Sequence, residues 1–463
     1  MTVLPGATVS PSSMPYESGH FLWGIVPEFR RDPAGLLNNL LARYPEAVRV
    51  RFGPLKPVMV NHPEIARDIL RQDVKVYHPL PFFYDIVRQV AGLNLFTAEG
   101  DYWRRQRALM QPTFHRKNLA QFAEAITAEA ERVLAAWSKP AKTGEWVDVK
   151  RAMLDTTLNV IGRTLFSIDL LRTPEGRRLS RALTFGGEYI PYRVENPITP
   201  PLFVPTPMNL RYWQARWDAN RIVRDLIHAR RRSGENPHDF MQLLMDARYE
   251  DTGEAMTDEQ LVDEVRTFFF AGHESSGMTL SFALYHIAQN PHVAARLQAE
   301  LDQVLGGRLP TLEDLPKLQY MEWIIQETTR LYPPGWLLLR ETMEATQIGN
   351  FTVERGEPVI LATYNIQRHP DFWEKPQLFY PERFEQPEQA RLAKRAYLAF
   401  GAGPRNCIGM NFAIMEAQLV LGTLLQRVSL HSAENYIAPL HFVFPLGIRG
   451  PLMMKVVKRR QAG

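Results

Sequence analysis

The sequence predicts a mainly α-helical protein with small β-sheets, an α+β class, and three observations predict it. A helical hydrophobic period dominates residues 101–305. Segments of alternating or β-branched character fall towards the two ends, at about residues 45–62 and 337–363. No internal repeat, low-complexity tract or linker divides the 463 residues. A single unit spanning 1–463 is therefore expected, although a length prior of ~150 residues per domain would suggest about three.

Taken in order, EAVRVRFGPLKPVMVN alternates apolar and polar residues around Gly53-Pro54, the pattern of a β-hairpin. The helical part is expected over about 101–331 and 408–428. Its clearest element opens with Thr257-x-x-Gln260, a capping-box pattern, and runs until Asn290-Pro291 stops it. That is roughly 32 residues, or on the order of 48 Å at 1.5 Å per residue. Residues 268–277 in its middle are apolar or small nearly all round, as a buried central helix requires. A further helix over 318–331 ends at Tyr332-Pro333-Pro334. Short β signals follow at 337–342 and in FTV and PVILATY, with Gly349-Asn350 and Arg355-Gly356 as turns. The last long helix, 408–428, follows a glycine-rich loop.

Composition excludes several function classes. A single cysteine permits no internal disulfide, no multi-cysteine zinc site, no iron–sulfur cluster and no C-x-x-C redox pair. If that thiol has a chemical role, it is as a nucleophile or a lone metal ligand; otherwise it fills a core position. A net charge of +4, from 54 Lys+Arg against 50 Asp+Glu, with no long basic run beyond the closing KVVKRR, gives no reason to expect a nucleic-acid partner. No apolar stretch approaches the ~18–20 residues that a membrane span needs, and the Pro/Ser-rich N-terminus lacks the pattern of a signal peptide. A cytoplasmic monomer without a membrane anchor is expected.

Cys407 lies in FGAGPRNCIG, directly before an apolar-periodic helix, where exposed N–H groups and the helix dipole favour a thiolate. Gly401, Gly403 and Gly409 let the backbone turn tightly and approach a flat ligand, and Phe400 is placed to shield the sulfur. The run Phe400-x-x-Gly403-x-Arg405-x-Cys407-x-Gly409 resembles the haem-binding signature of the cytochrome P-450 family, in soluble bacterial-type form. The resemblance implies that family's fold, a helical part around a buried haem with a smaller β-rich region. It also implies haem b (iron protoporphyrin IX) ligated by the Cys407 thiolate.

Further motifs follow in the family's order. Trp103-Arg104-Arg105-Gln106-Arg107 is similar to W-x-x-x-R; at i, i+4 the Trp103 indole and Arg107 guanidinium share a face suited to one haem propionate. Arg340 and Arg405 resemble two other propionate-binding positions. Glu327-Thr328-Thr329-Arg330 is similar to E-x-x-R, and Pro381-Glu382-Arg383-Phe384 to P-E-R-F, which implies a structural triad of Glu327, Arg330 and Arg383. Ala271-Gly272-His273-Glu274-Ser275 resembles A/G-G-x-D/E-T, with Ala271 and Gly272 beside the cofactor and Glu274 with Ser275 as the catalytic acid–alcohol pair that delivers protons. Ser275 replaces the usual Thr: a hydroxyl is kept, but the β-branch that fixes χ1 is lost, and looser coupling of electrons to product is expected. His273 is expected to be a helix residue near the pocket wall and not an iron ligand.

By the same resemblance the substrate pocket takes Phe82, Phe83, Val90, Leu93 and Phe96; Phe270; Trp336, Leu337 and Leu338; and Phe442, Val443 and Phe444. Segment 191–207, with six prolines, cannot be helix throughout and sits where the family's access lid lies. The resemblance implies a monooxygenase, and the largely apolar cavity that these residues suggest points to hydroxylation or epoxidation of a terpenoid, steroid or fatty-acid-like molecule. With no P-loop, dinucleotide fingerprint or cysteine cluster in the chain, its two electrons are expected from a separate acidic ferredoxin or flavodoxin with its reductase. Arg104, Arg105, Arg116, Lys117, Lys394 and Arg395 are the candidates for its docking face. Three alternatives share parts of the pattern. A haem-thiolate peroxygenase or isomerase would keep Cys407, a haem sensor or electron carrier would need no proton delivery, and a cysteine hydrolase would need none of the triad motifs.

Overall fold

The structure, a computed structural model, describes residues 13–72, 76–196 and 199–459. Its contacts divide the chain into two compact units. One comprises residues 1–81, 335–378 and 383–406; the other comprises 82–334, 379–382 and 407–463.

The first unit is built on a six-stranded mixed sheet, in the order Tyr16–Glu17, Ala47–Val50, Val58–Val60, Pro358–Leu361, Leu338–Thr342 and Tyr77–Pro79. The expected hairpin is present: Ala47–Val50 and Val58–Val60 run antiparallel, Val48 opposite Met59, with the turn at Gly53-Pro54 between them. Val58, Val60, Val359 and Leu361 are fully buried and, with Ile348 and Val353 of the small hairpin Thr346–Ile348/Phe351–Val353, form this unit's core. PVILATY is strand only as far as Leu361, because Thr363–Ile366 closes into a helical turn.

The second unit is organised around the helix Asp258–Gln289. The Thr257 side chain accepts from the Gln260 N–H while the Gln260 side chain accepts from the Thr257 N–H, completing the capping box that the sequence announces. This central helix runs along the helix Val149–Phe166 at close range. A Cβ on Gly277 would lie 2.8 Å from Leu154 Cδ2, and one on Gly272 would lie 2.7 Å from Ile161 Cδ1, so only residues without side chains permit the approach. Gly272, expected beside the cofactor, is thereby committed to packing between these helices. The helices Gln319–Leu331 and Met410–Leu425 match the expected 318–331 and 408–428 within a turn.

Two parts of the layout were not anticipated. A three-stranded antiparallel sheet joins Val428–Ser432 and Met453–Lys458 to Trp146–Asp148, a strand from within the expected helical span. Its inward residues Met454 and Val456 alternate with the outward Met453, Lys455 and Val457. The helices Pro33–Arg43, Pro63–Arg71, Pro81–Ala91 and Pro387–Ala396 also lie outside the expected helical ranges. Each begins on proline, which fits the first helical position because its missing N–H would have no intrahelical partner there. In the proline-rich segment, the helix Pro174–Glu195 continues through Pro191, and a new helix starts at Pro207. Pro197 and Ile198 lie outside the described residues.

Candidate active site

Cys407 opens the last stretch of the second unit, three residues ahead of the helix Met410–Leu425. Its thiol combines two properties that rarely coincide. Burial pushes it above the ordinary thiol range, yet its surface is exposed. The Gly409 N–H donates to the sulfur, and the Arg107 guanidinium lies within electrostatic reach; both oppose the effect of burial and favour the thiolate. Reciprocally, burial lowers the Arg107 pKa and the Cys407 charge opposes this.

Arg107 is delivered by the helix Gly100–Met110, where Trp103 is buried one turn earlier on the same face. That helix passes into the turn Gln111–Phe114, and Phe114 stands between the cysteine loop and the central helix. The Cβ position of Gly409 is 3.9 Å from Phe114 Cε1 and 4.0 Å from Cys407 Sγ, and the Phe114 ring meets Phe268 edge-on with centroids 5.4 Å apart. The sequence reading missed Phe114; no motif marks it.

On the central helix, Ala271 and Glu274 are exposed in the middle of an otherwise buried element, one turn apart on one face. The Ser275 hydroxyl donates to the Ala271 carbonyl, so its oxygen remains available to accept a hydrogen bond but its proton is engaged. Burial raises the Glu274 pKa, the nearby Glu188 carboxylate raises it further and Lys150 opposes both. His273 points the other way: its Nε2 lies 3.2 Å from the Leu154 carbonyl, and burial drives its pKa down to about 4. It packs against the helix Val149–Phe166 rather than standing at a pocket wall on the Ala271 face.

Two further acids were missed in the sequence. Glu264 accepts from the Leu95 N–H at 3.1 Å and from Gln106 Nε2 at 3.3 Å; Gln106 in turn meets the Tyr249 hydroxyl at 2.7 Å, and burial pushes Glu264 up to about 8. Glu416, on the helix that follows Cys407, is fully buried beside Ser276 and is also pushed up to about 8. Among the described residues, neither Glu416 carboxyl oxygen completes a hydrogen bond. Both acids are protonated at neutral pH. Only burial distinguishes them from surface glutamates, and burial is not written in local sequence.

Glu327 and Arg330 form the expected pair: Arg330 Nε donates to Oε2 at 2.7 Å and Nη2 to Oε1 at 2.9 Å, with both side chains at 0% exposure. The Tyr380 N–H adds a third bond to Glu327 at 2.9 Å. In the first unit Arg383 is buried and donates to the carbonyls of Glu374, Lys375 and Leu378. Arg340 is buried in the strand Leu338–Thr342 with Nη1 donating to the Leu339 carbonyl. Arg405 is half-buried, in a loop where the Gly401 N–H bonds to the Leu398 carbonyl and the Asn406 N–H to Gly403. Gly403 has φ +69, and a Cβ there would lie 2.1 Å from the Leu70 carbonyl oxygen, so glycine is obligatory. Phe400 is half-buried, 6.5 Å from the Tyr397 ring.

The expected pocket residues divide. Leu93 and Phe96 are exposed although Asn94, Leu95 and Thr97 between and beside them are buried. Phe82 and Phe444 are exposed, while Phe83, Leu337, Leu338, Phe442 and Val443 are half-buried. Three are committed to packing. Val90 sits in a small cluster with Tyr189 and Tyr212, Phe270 lies against Gly186 and Gly187, and Trp336 is buried and stacked on Phe29 at 5.8 Å. Of the candidate docking cations, Arg104 pairs with Asp101, Arg105 with Asp251 and Arg395 with Glu64, while Lys117 and Lys394 are exposed. The Arg116 side chain lies outside the described residues.

An exposed thiol with an arginine in electrostatic reach, and an exposed acid on the central helix, are the chemical groups that the second unit presents. The family model for Cytochrome P450 matches residues 14–443, and the chain belongs to that family. It is 33% identical over 432 residues to cyclooctat-9-en-7-ol 5-monooxygenase of Streptomyces melanosporofaciens, covering 92% of each chain. It is 31% identical to pentalenene oxygenase of Streptomyces avermitilis, over 91% of this chain and 90% of the relative. It is 32% identical to cyclooctatin synthase of Streptomyces melanosporofaciens, over 91% and 89%. The protein is accordingly an oxidoreductase, a haem-thiolate monooxygenase using haem b, dioxygen and a redox partner. Among the described residues no helix is long and apolar enough to cross a membrane.

Proposed function

We propose that the chain hydroxylates an apolar terpenoid, with Cys407 as the iron ligand and electrons supplied by a separate acidic ferredoxin or flavodoxin in the cytoplasm. The surroundings of Cys407 support the site: the residue is exposed, its sulfur accepts the Gly409 N–H, and Arg107 lies within electrostatic reach. The substrate class is supported by relatives, nine-tenths covered, that are named for oxygenating cyclooctat-9-en-7-ol and pentalenene. When bound, the haem activates dioxygen, so that RH, O2, two electrons and two protons give ROH and water.

In this reading Trp103 and Arg107 hold one propionate, and Arg340 and Arg405 keep the propionate roles that the motifs imply. Glu274 holds and passes protons, its pKa raised by burial and by Glu188 so that it keeps a proton more readily than an ordinary carboxylate. Ser275 is a hydrogen-bond acceptor that keeps a water or oxygen species in line, because its own proton is spent on the Ala271 carbonyl. Leu93 and Phe96 offer apolar surface to the substrate and help exclude water. Glu327, Arg330 and Arg383 are structural.

The test has two parts. The reduced carbon monoxide complex of the purified holoprotein is expected to show the red-shifted Soret band of thiolate ligation, and Cys407→Ser to lose it. A panel of terpenoids is expected to convert the haem from low to high spin. If charged or strongly polar compounds alone did so, the substrate class would be wrong.

A further inference from the structure

Segment 89–95 is gripped by its backbone from two sides. On the central helix, Asp263 Oδ2 accepts the Leu93 N–H at 3.0 Å, Glu264 Oε2 accepts the Leu95 N–H at 3.1 Å, and Arg266 donates to the Val90 carbonyl. On the helix Pro207–Ser233, the Tyr212 hydroxyl meets the Gln89 and Val90 carbonyls at 3.1 Å each, and Arg216 Nη1 donates to the Gln89 carbonyl at 2.7 Å. These carbonyls end the helix Pro81–Ala91, where they have no intrahelical partner and where cations oppose the negative end of the helix dipole.

The geometry leaves no slack. Gly92 has φ +89, and a Cβ there would lie 2.1 Å from an Asp263 carboxyl oxygen. Arg266 is 2% exposed, and burying a guanidinium is costly unless its partners are specific. The segment is also tied to itself: Asn94 Oδ1 accepts the N–H groups of Phe96 and Thr97, and Thr97 Oγ1 donates to the Gly92 carbonyl. What remains for a ligand is Leu93 at 42% and Phe96 at 38% exposure.

We propose that Asp263, Arg266 and Tyr212 are positioning residues that fix segment 89–95, and with it Leu93 and Phe96, so that this grip decides which C–H of the substrate is presented. The inference rests on the pocket reading of the preceding section and adds its specificity device. The grip is made of main-chain bonds, so it fixes where the apolar wall stands independently of which side chains form it. A displacement of about 1 Å at a reacting centre is worth up to ~100-fold in rate, so small movements of this wall redistribute products.

The test compares the wild-type holoprotein with Arg266→Met, Asp263→Asn, Gly92→Ala and Tyr212→Phe. Tyr212→Phe removes only a hydroxyl and keeps the ring stacked on Tyr189 at 4.5 Å, so it serves if the others fold poorly. Each variant loosens the segment as a whole, so amide hydrogen exchange at Leu93 and Leu95, whose N–H groups face Asp263 and Glu264, is expected to accelerate by about tenfold through easier local opening. The half-saturating concentration in the spin-shift titration is expected to rise by a similar factor, and the ratio of product isomers to change, with the carbon monoxide spectrum unaltered. Unchanged exchange, or faster exchange with unchanged ligand affinity and product ratio, overturns the grip. A wild-type protein giving no spin shift with any apolar ligand overturns the substrate reading and the specificity claim with it.

Discussion

Four glutamates of the second unit show how one side-chain type takes different roles. Glu327 is fully paired, Glu264 and Glu416 are buried and protonated, and Glu274 stands exposed on the central helix. Glu274→Gln keeps shape but loses the ionisable group, and dioxygen-dependent product formation is expected to fall by on the order of 100-fold. Turnover supported by hydrogen peroxide, which brings its own protons, is expected to fall far less, and comparing the two assays checks the role. Ser275→Ala is expected to raise uncoupled peroxide release more than it lowers electron consumption. Glu327→Ala strands the Arg330 charge in the core and should cost about 3–5 kcal/mol, read as a lowered denaturation midpoint. At this scale the sequence was legible where spacing carries the chemistry: residues at i, i+3 share a helix face, and Glu327 and Arg330 do meet. Glu264, Glu416 and Phe114 were not legible, because their surroundings come from residues distant in the chain.

The central helix was legible as an element because both its ends are written locally. Thr257-x-x-Gln260 starts it and Asn290-Pro291 stops it, and the helix spans Asp258–Gln289. The proline-initiated helices were harder, since proline also starts turns and only packing of the apolar face decides between them. The central helix and its neighbour Met410–Leu425 also carry a pH signature. Glu264 and Glu416 each titrate at about 8 when folded and near 4.5 when unfolded. As pH rises through this interval the unfolded chain releases protons that the folded chain retains, so stability falls and then levels above about 8. His273, at about 4 folded against 6.5 unfolded, acts oppositely, with stability lost as pH falls from 6.5 towards 4. Between pH 6.5 and 8 these three groups therefore make stability decline. Denaturant titrations across that range are expected to show the decline, and Glu416→Gln to remove on the order of half of it.

For the whole molecule, the net charge of +4 says little about partner docking, because pairing decides which cations are free to act. Arg104, Arg105 and Arg395 already face carboxylates of this chain, whereas Lys117 and Lys394 are exposed. Electron transfer from an acidic ferredoxin is expected to slow several-fold between low and ~0.5 M salt, as screened association does. Lys117→Gln and Lys394→Gln should each weaken it more than Arg105→Gln, measured as the second-order reduction rate of the haem.

The sequence by itself determined the family and the paired Glu327 and Arg330, and it supplied the cysteine loop and the acid–alcohol pair of the proposed site, because each is a short pattern of residues within one helix or loop. Tertiary structure decided that Gly272, Val90, Phe270 and Trp336 pack against neighbouring elements. It also decided that two distant acids are neutral, and that segment 89–95 is held by Asp263, Arg266 and Tyr212. Those outcomes depend on which surfaces meet after folding, and burial and direction of a side chain are properties of the meeting surfaces rather than of the local chain.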